Sequence, residues 1–178
     1  KLFLSKKIKW IKSPLVLQYA KENNIKTFLI KSPNNKSFLD SINELQPDII
    51  INQSMSILKK DLLSIPKIGV LNRHNALLPR NRGRLTPFWV LYKKELKTGV
   101  SIHFVEEAID SGDIVIQKEY RVEKKDTFQS IVNKNYRIAD KAMLEAIDKI
   151  QSGDCSYIKN DDNLSSYNSL PTFKQFQT

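Results

Sequence analysis

Both histidines of this 178-residue chain, four of its five glycines and four of its seven prolines fall between Pro47 and Asp113. Histidine is the side chain that titrates near neutral pH, and glycine and proline fix unusual backbone geometry. Their concentration in one third of the chain indicates that the functional site is built there. Its parts are Asn72-Arg73-His74, Arg80-Asn81-Arg82-Gly83-Arg84, His103, and Ile109-Asp110-Ser111-Gly112-Asp113. Taken singly, each part has a plain reading. A lone Asn-x-His is more often surface or packing than catalysis. Aspartate and glycine make turns. The basic run reads as a solvated loop. His103 reads as a hydrogen-bonded core residue, since strand alternation points it inward.

The elements around these residues alternate. Pro14–Ala20 opens a helix with Ser13 as cap and Pro14 in its first turn, and Phe38, Ile42 and Leu45 share a later helical face. Leu2–Leu4, Thr27–Ile30, Asp48–Ile51, Ile68–Leu71, Gly99–Val105 and Asp113–Val122 read as strands. Asp48–Ile51 is continuously apolar, as in a parallel-sheet strand covered on both faces, whereas Gly99–Val105 alternates like a half-buried one. A short helix carries Ile57, Leu58, Leu62 and Leu63 and is ended by Pro66. Another follows the cap signal Thr86-Pro87, with Phe88 and Trp89 packing on the sheet. The longest runs from Asp126 to Ile150, its apolar positions being Phe128, Ile131, Val132, Tyr136, Ala139, Met143, Ile147 and Ile150. The order predicts an α/β fold, a Rossmann-like, mostly parallel sheet flanked by helices. Sites in such sheets lie beyond the carboxyl ends of the strands. Asn72 and His74, just past Ile68–Leu71, are therefore expected to meet Asp110, in the loop after Gly99–Val105, at one sheet edge.

Composition narrows the class. A hydrophobic share of 40% with mixed charge fits one folded domain. The net charge of +10 admits nucleic acid or phosphorylated ligands, but the lysines form no single block. Cys155 is the only cysteine, so neither an internal disulfide nor a zinc-thiolate cage is expected, and a reducing cytoplasm fits. No apolar run reaches the ~18 residues of a membrane span, so no membrane partner is expected. The chain is read as a domain over 1–153 followed by a polar tail, 154–178, that drapes over the body or frays.

The motifs in order are Pro47-Asp48-Ile49-Ile50-Ile51-Asn52, Asn72-x-His74-x-x-Leu77-Leu78-Pro79-x-x-Arg82-Gly83, Thr98-Gly99-Val100-x-Ile102-His103 and Ile109-Asp110-x-Gly112-Asp113-Ile114-x-x-Gln117. Their order and spacing resemble the formyltransferases that use 10-formyltetrahydrofolate to formylate a primary amine, over roughly positions 1 to 150. The resemblance implies an Asn72–His74–Asp110 catalytic set: amide and imidazole N–H groups for the oxyanion, the imidazole as proton relay, Asp110 to fix its tautomer and accept the amine proton. One histidine and one carboxylate make a poor metal shell. The resemblance also implies a folate pocket of Met55, Ser56, Ile57, Leu58, Leu63 and Val105, with the backbone from Glu106 to Asp110 reading the pterin edge; plain core is the other reading of Leu58, Leu63 and Val105.

Family members begin with a strand, a glycine-bearing loop and a helix ahead of the part matching Lys1. The chain starts without methionine, so a longer natural product, or another segment filling the gap beside Asp48–Ile51, is expected. Arg82-Gly83 fits the methionyl-tRNA and amino-sugar branches better than the purine branch. The stretch after the long helix is too short for a tRNA-gripping barrel, which favours a small amine acceptor such as an amino-sugar nucleotide over tRNA. A non-catalytic folate-binding module and an RNA-binding domain are the rival classes.

Overall fold

The computed structural model describes residues 14–177. The backbone divides into two units, Lys1–Ser32 and Pro33–Thr178. In the first, α1 (Pro14–Glu22) forms as the sequence predicts, while its expected cap, Ser13, lies outside the described residues. It ends where Asn24 turns to φ +54 and the Ile25 N–H returns to the Ala20 carbonyl at 2.8 Å, a left-handed cap. The expected strand Thr27–Ile30 is not one; it joins no strand pair and Leu29 is 88% exposed. A β-prone tetrapeptide becomes a strand only against a partner. The expected strand Leu2–Leu4 lies outside the described residues.

The second unit carries α2 (Lys36–Glu44), β1 (Ile49–Asn52), α3 (Lys60–Leu63), β2 (Gly69–His74), β3 (Arg82–Gly83), α4 (Thr86–Tyr92), β4 (Lys97–Phe104), β5 (Ile114–Arg121), α5 (Phe128–Gln151), a 3₁₀ turn (Asp162–Leu164), β6 (Tyr167–Asn168) and α6 (Phe173–Phe176). The main sheet has the order β1-β2-β4-β5, and β3 pairs with β6 in a separate two-stranded ribbon. The α/β class is thus as expected, with a mixed strand direction. β1–β2 is parallel, whereas β2–β4 and β4–β5 are antiparallel.

One face of the sheet packs on α5: Leu71, Val100, Ile102 and Val115 bury against Ala142, Ala146 and Ile150. The small residues of α5 let the helix approach the strands closely. A capping box between Thr127 and Ser130 starts this helix. On the other face, Val70 packs with Leu58 and Leu62, joined by Leu39, Ile50, Leu63 and Val105. Leu39 rather than Leu45 is the inward residue of α2; Leu45 is exposed.

Two strand expectations change. β1 is an edge of the described sheet, with Ile51 46% exposed, because only β2 flanks it. β4 is buried from Thr98 to His103 rather than half-buried. Its polar Ser101 is tolerated because its hydroxyl donates to the Ala76 carbonyl at 2.7 Å and accepts from the Leu78 N–H at 3.0 Å. Leu85, at φ +55, precedes α4; the Thr86 hydroxyl donates to the Asn75 carbonyl instead of capping the helix.

Candidate active site

Asn72 and His74 lie on β2 itself, not beyond it, two residues apart and so on one face of the sheet. Cross-strand pairing sets His103 of β4 opposite Asn72. Asp110 follows β4 in a tight turn at φ +50. The sheet therefore assembles, over a separation of 38 positions, the three residues singled out from the sequence.

A directed chain of hydrogen bonds orients Asn72. Asn52 Oδ1 accepts from the Ser54 N–H at 3.0 Å, and Asn52 Nδ2 donates to Asn72 Oδ1 at 3.3 Å. Asn72 Nδ2 then lies 3.2 Å from His103 Nε2, and His103 Nδ1 lies 2.7 Å from the Phe104 carbonyl. A carbonyl only accepts, so Nδ1 carries the proton and Nε2 accepts from Asn72. Burial, then the neighbouring His74, pushes the His103 pKa down to about 4, against the raising effects of Asp110 and the Phe104 carbonyl. His103 is thus neutral at physiological pH. Its reading as a hydrogen-bonded core histidine holds, but it also fixes the amide of Asn72. The sequence signal was its place in the alternation of β4.

His74 is buried and its Nε2 donates to the Asn81 carbonyl at 2.7 Å. Its Nδ1 faces Asp110 Oδ2 at 3.5 Å, and Asp110 Oδ1 is 3.7 Å from His103 Nε2. The Gly83 N–H donates to Asp110 Oδ2 at 2.8 Å. The nitrogen that keeps its proton is therefore set by a main-chain carbonyl, not by Asp110 as the resemblance implied. No residue-type pattern announces such a carbonyl.

These groups sit in a cleft of about 790 Å³. Met55, Ser56, Ile57, Leu58, Val105, Glu106 and Asp110 line it; Leu63 does not, and packs behind with Leu58 and Val70. Met55 and Ile57 are 82% and 72% exposed, an apolar wall open to a ligand. Phe128, Val132 and Tyr136 of α5 also line the cleft, as do Tyr167 and Leu170. The Arg73 guanidinium lies 4.8 Å from the centre of the Tyr136 ring.

The basic loop is solvated only in part: Arg80 and Arg84 are exposed as expected, but Asn81 and Arg82 are buried. Several of their partners come from the polar stretch after α5, although Asn81 also bonds Lys93 and Glu95. Asn168 Nδ2 donates to Asn81 Oδ1 at 2.8 Å, Arg82 contacts Asn160 and Asp162, and β3 pairs with β6. Phe88 and Trp89 find partners there too. Phe88 meets Phe176 at 4.9 Å between ring centres, and the Trp89 N–H donates to the Ser169 carbonyl at 2.9 Å. Among the described residues, no three His, Cys, Asp or Glu side chains are grouped to hold a metal ion. No helix there is long and apolar enough to cross a membrane.

Residues 9–147 match the family model described as formyl transferase. The methionyl-tRNA formyltransferase of Fusobacterium nucleatum is 32% identical over 150 residues, 84% of this chain and 48% of that protein. The chain spans about half the length of the curated relatives it matches. Among solved structures, a 4-N formyltransferase from Francisella tularensis aligns at a TM-score of 0.68 and 25% identity, over 90% of this chain and 63% of that one. An N-formyltransferase from Helicobacter canadensis, crystallised with folinic acid and dTDP-3-aminofucose, aligns at a TM-score of 0.63 and 22% identity, over 87% and 54%.

Proposed function

The chain belongs to the formyl transferase family, and on that premise we propose that it moves a formyl group from 10-formyltetrahydrofolate to a primary amine on an amino-sugar nucleotide or similar small metabolite. The convergence of Asn72, His74 and Asp110 on the floor of an apolar-walled cleft carries this reading. The cleft suits the donor: the flat pterin covers the otherwise exposed Met55 and Ile57, with Leu58 and Val105 beneath and the Glu106–Asp110 backbone at its polar edge. The donor, when bound, supplies the activated formyl carbon.

The chain's own residues do the rest. Asn72 has one amide hydrogen on His103 and a second for the formyl oxygen as it gains negative charge, a contribution of roughly 10²–10³ in rate. His74 reaches the cleft only through Nδ1, since Nε2 is held by Asn81. Asp110 accepts the proton lost as the amine nitrogen bonds to the formyl carbon. Asp110 hands that proton across 3.5 Å to the bare Nδ1 of His74, which delivers it to the folate nitrogen as that nitrogen's bond to the formyl carbon breaks. This relay supplies roughly 10²–10⁴ more.

Methionyl-tRNA is the second reading for the acceptor, favoured by the Fusobacterium relative and the net charge of +10. Turnover of the formyl donor with amino-sugar nucleotides and with methionyl-tRNA, side by side, decides between them. Sugar-dependent turnover supports the first reading. Turnover with tRNA alone replaces it with the second. Folate binding without turnover of either rejects both in favour of a non-catalytic module.

A further inference from the structure

The polar stretch after α5 reaches the reactive carboxylate from behind. Ile158 exchanges two main-chain hydrogen bonds with Ile114, both 2.8 Å, which anchors this stretch at the start of β5. Two residues on, Asn160 is 5% exposed and lies against the Asp110 turn. Its Nδ2 donates to the Asp110 carbonyl at 2.8 Å and the Gly112 carbonyl at 2.9 Å, using both hydrogens. Its Oδ1 and its own carbonyl accept from Arg82 Nη2 at 2.9 and 3.0 Å, and Arg82 Nη1 donates to Asp162 at 2.7 Å. The circuit closes through the residue after Arg82, whose N–H holds Asp110 Oδ2 at 2.8 Å.

One buried unit therefore grips Asp110 twice, by its main chain through Asn160 and by its carboxylate through Gly83. The grip is needed because Asp110 is left-handed at φ +50, a conformation unfavourable for a non-glycine residue that persists only when its surroundings impose it. Gly112 narrows the turn further: a Cβ there would collide with the Phe104 carbonyl.

We propose that Asn160 is a positioning residue for Asp110, so that the stretch after α5 completes the active site. The proposal rests on the formyl-transfer reading for its kinetic consequence, and on geometry alone for its structural one. A misplacement of about 1 Å costs roughly 10²-fold in rate. Loss of the two Asn160 donors removes the main-chain half of the grip on Asp110.

The test uses Asn160→Ala and Asn160→Asp in the whole chain. The aspartate keeps acceptors for Arg82 and lacks both N–H donors. Each variant is followed by kcat and KM, by affinity for a non-reactive folate analogue, by thermal melting, and by the ¹H–¹⁵N ring signals of the two histidines. The expected result is a kcat lower by about 10- to 100-fold, donor KM and analogue affinity changed less than kcat, a cooperative melt, and shifted ring signals of His74 and His103. Unchanged kcat and ring signals in a folded variant overturn the proposal. So does loss of the cooperative melt beside the loss of kcat, which marks a general loss of structure. Should the unmodified chain turn over no amine, the functional reading fails, and the ring signals alone decide the positioning: shifted signals sustain it, unshifted signals reject it. Should Asn160→Ala fail to fold, Asn160→Asp is read by the same criteria; failure of both overturns the proposal in favour of a purely structural role.

Discussion

Asn72 and His103 face each other across the β2–β4 pair, and the amide of the first donates to the bare Nε2 of the second at 3.2 Å. Protonation of His103 would set a donor against a donor. The pair thus uses a histidine as a fixed acceptor, and the low pKa of about 4 keeps it so. Asn72 is left with one orientation and one free amide hydrogen.

A pH dependence of stability follows. The unfolded histidine takes up a proton near its ordinary value of 6.5, while the folded one resists until about 4. The unfolded state therefore binds more protons between these values, and stability falls as pH drops from 6.5 to 4. Urea midpoints measured across this window should decline in the unmodified chain. His103→Asn should flatten that decline; an equally steep one assigns it to other groups. Asp126 acts lower. Burial alone would raise its pKa, but bonds from Lys134, the Glu123 N–H and Ser130 hold it at about 2, so its contribution is present above its ordinary value of 3.8 and lost as pH falls from there to about 2.

Asn72→Ala should lower kcat by roughly 10²–10³ with little change in folate-analogue affinity, since it removes a donor aimed at developing charge. Steady-state kinetics beside analogue titration checks this. A variant that loses affinity and keeps kcat assigns Asn72 to binding instead.

Part of this candidate site is legible in the sequence. Asn72, His74 and Asp110 stand out because their types and spacing belong to one pattern; that His103 faces Asn72 depends on the β2–β4 pairing, which the sequence does not show. The long helix was equally plain, because its 3.6-residue pattern runs uninterrupted to Ile150. The role of the carboxyl-terminal stretch was not. Asn160, Asp162 and Asn168 are polar residues without periodicity, and their partners Asn81 and Arg82 lie nearly eighty or more positions away. Local pattern carries no trace of such pairing. The strand at Thr27–Ile30 failed for a related reason: β-propensity is local, but a strand needs a neighbour.

The exposed wall of the cleft makes a separate prediction. Ile57→Ser removes an apolar side chain that the protein hardly buries by itself, so the melting temperature should stay within a few degrees. Covering that side chain with a ligand is worth about 1.5–3 kcal/mol, so folate-analogue affinity should fall by about tenfold or more. Calorimetric titration measures it. Undiminished affinity would place the pterin elsewhere.

Gly112→Ala should destabilise the fold by roughly 1–3 kcal/mol, because a methyl group meets a main-chain carbonyl that cannot step aside. Denaturant unfolding reads the change. Since Gly112 shares its Asn160 contact with Asp110, kcat should fall as well; full stability with full activity would show that the turn opens to take the methyl group.

The central claim is that the carboxylate at position 110 takes part in the chemistry beside His74. Its most direct test is single-turnover transfer by Asp110→Asn at saturating donor and amine, with analogue affinity measured on the same sample. The asparagine keeps an acceptor for the Gly83 N–H and loses the charge. Transfer at least ~10²-fold slower with donor binding preserved is the expected result. Transfer at the unmodified rate would contradict the account.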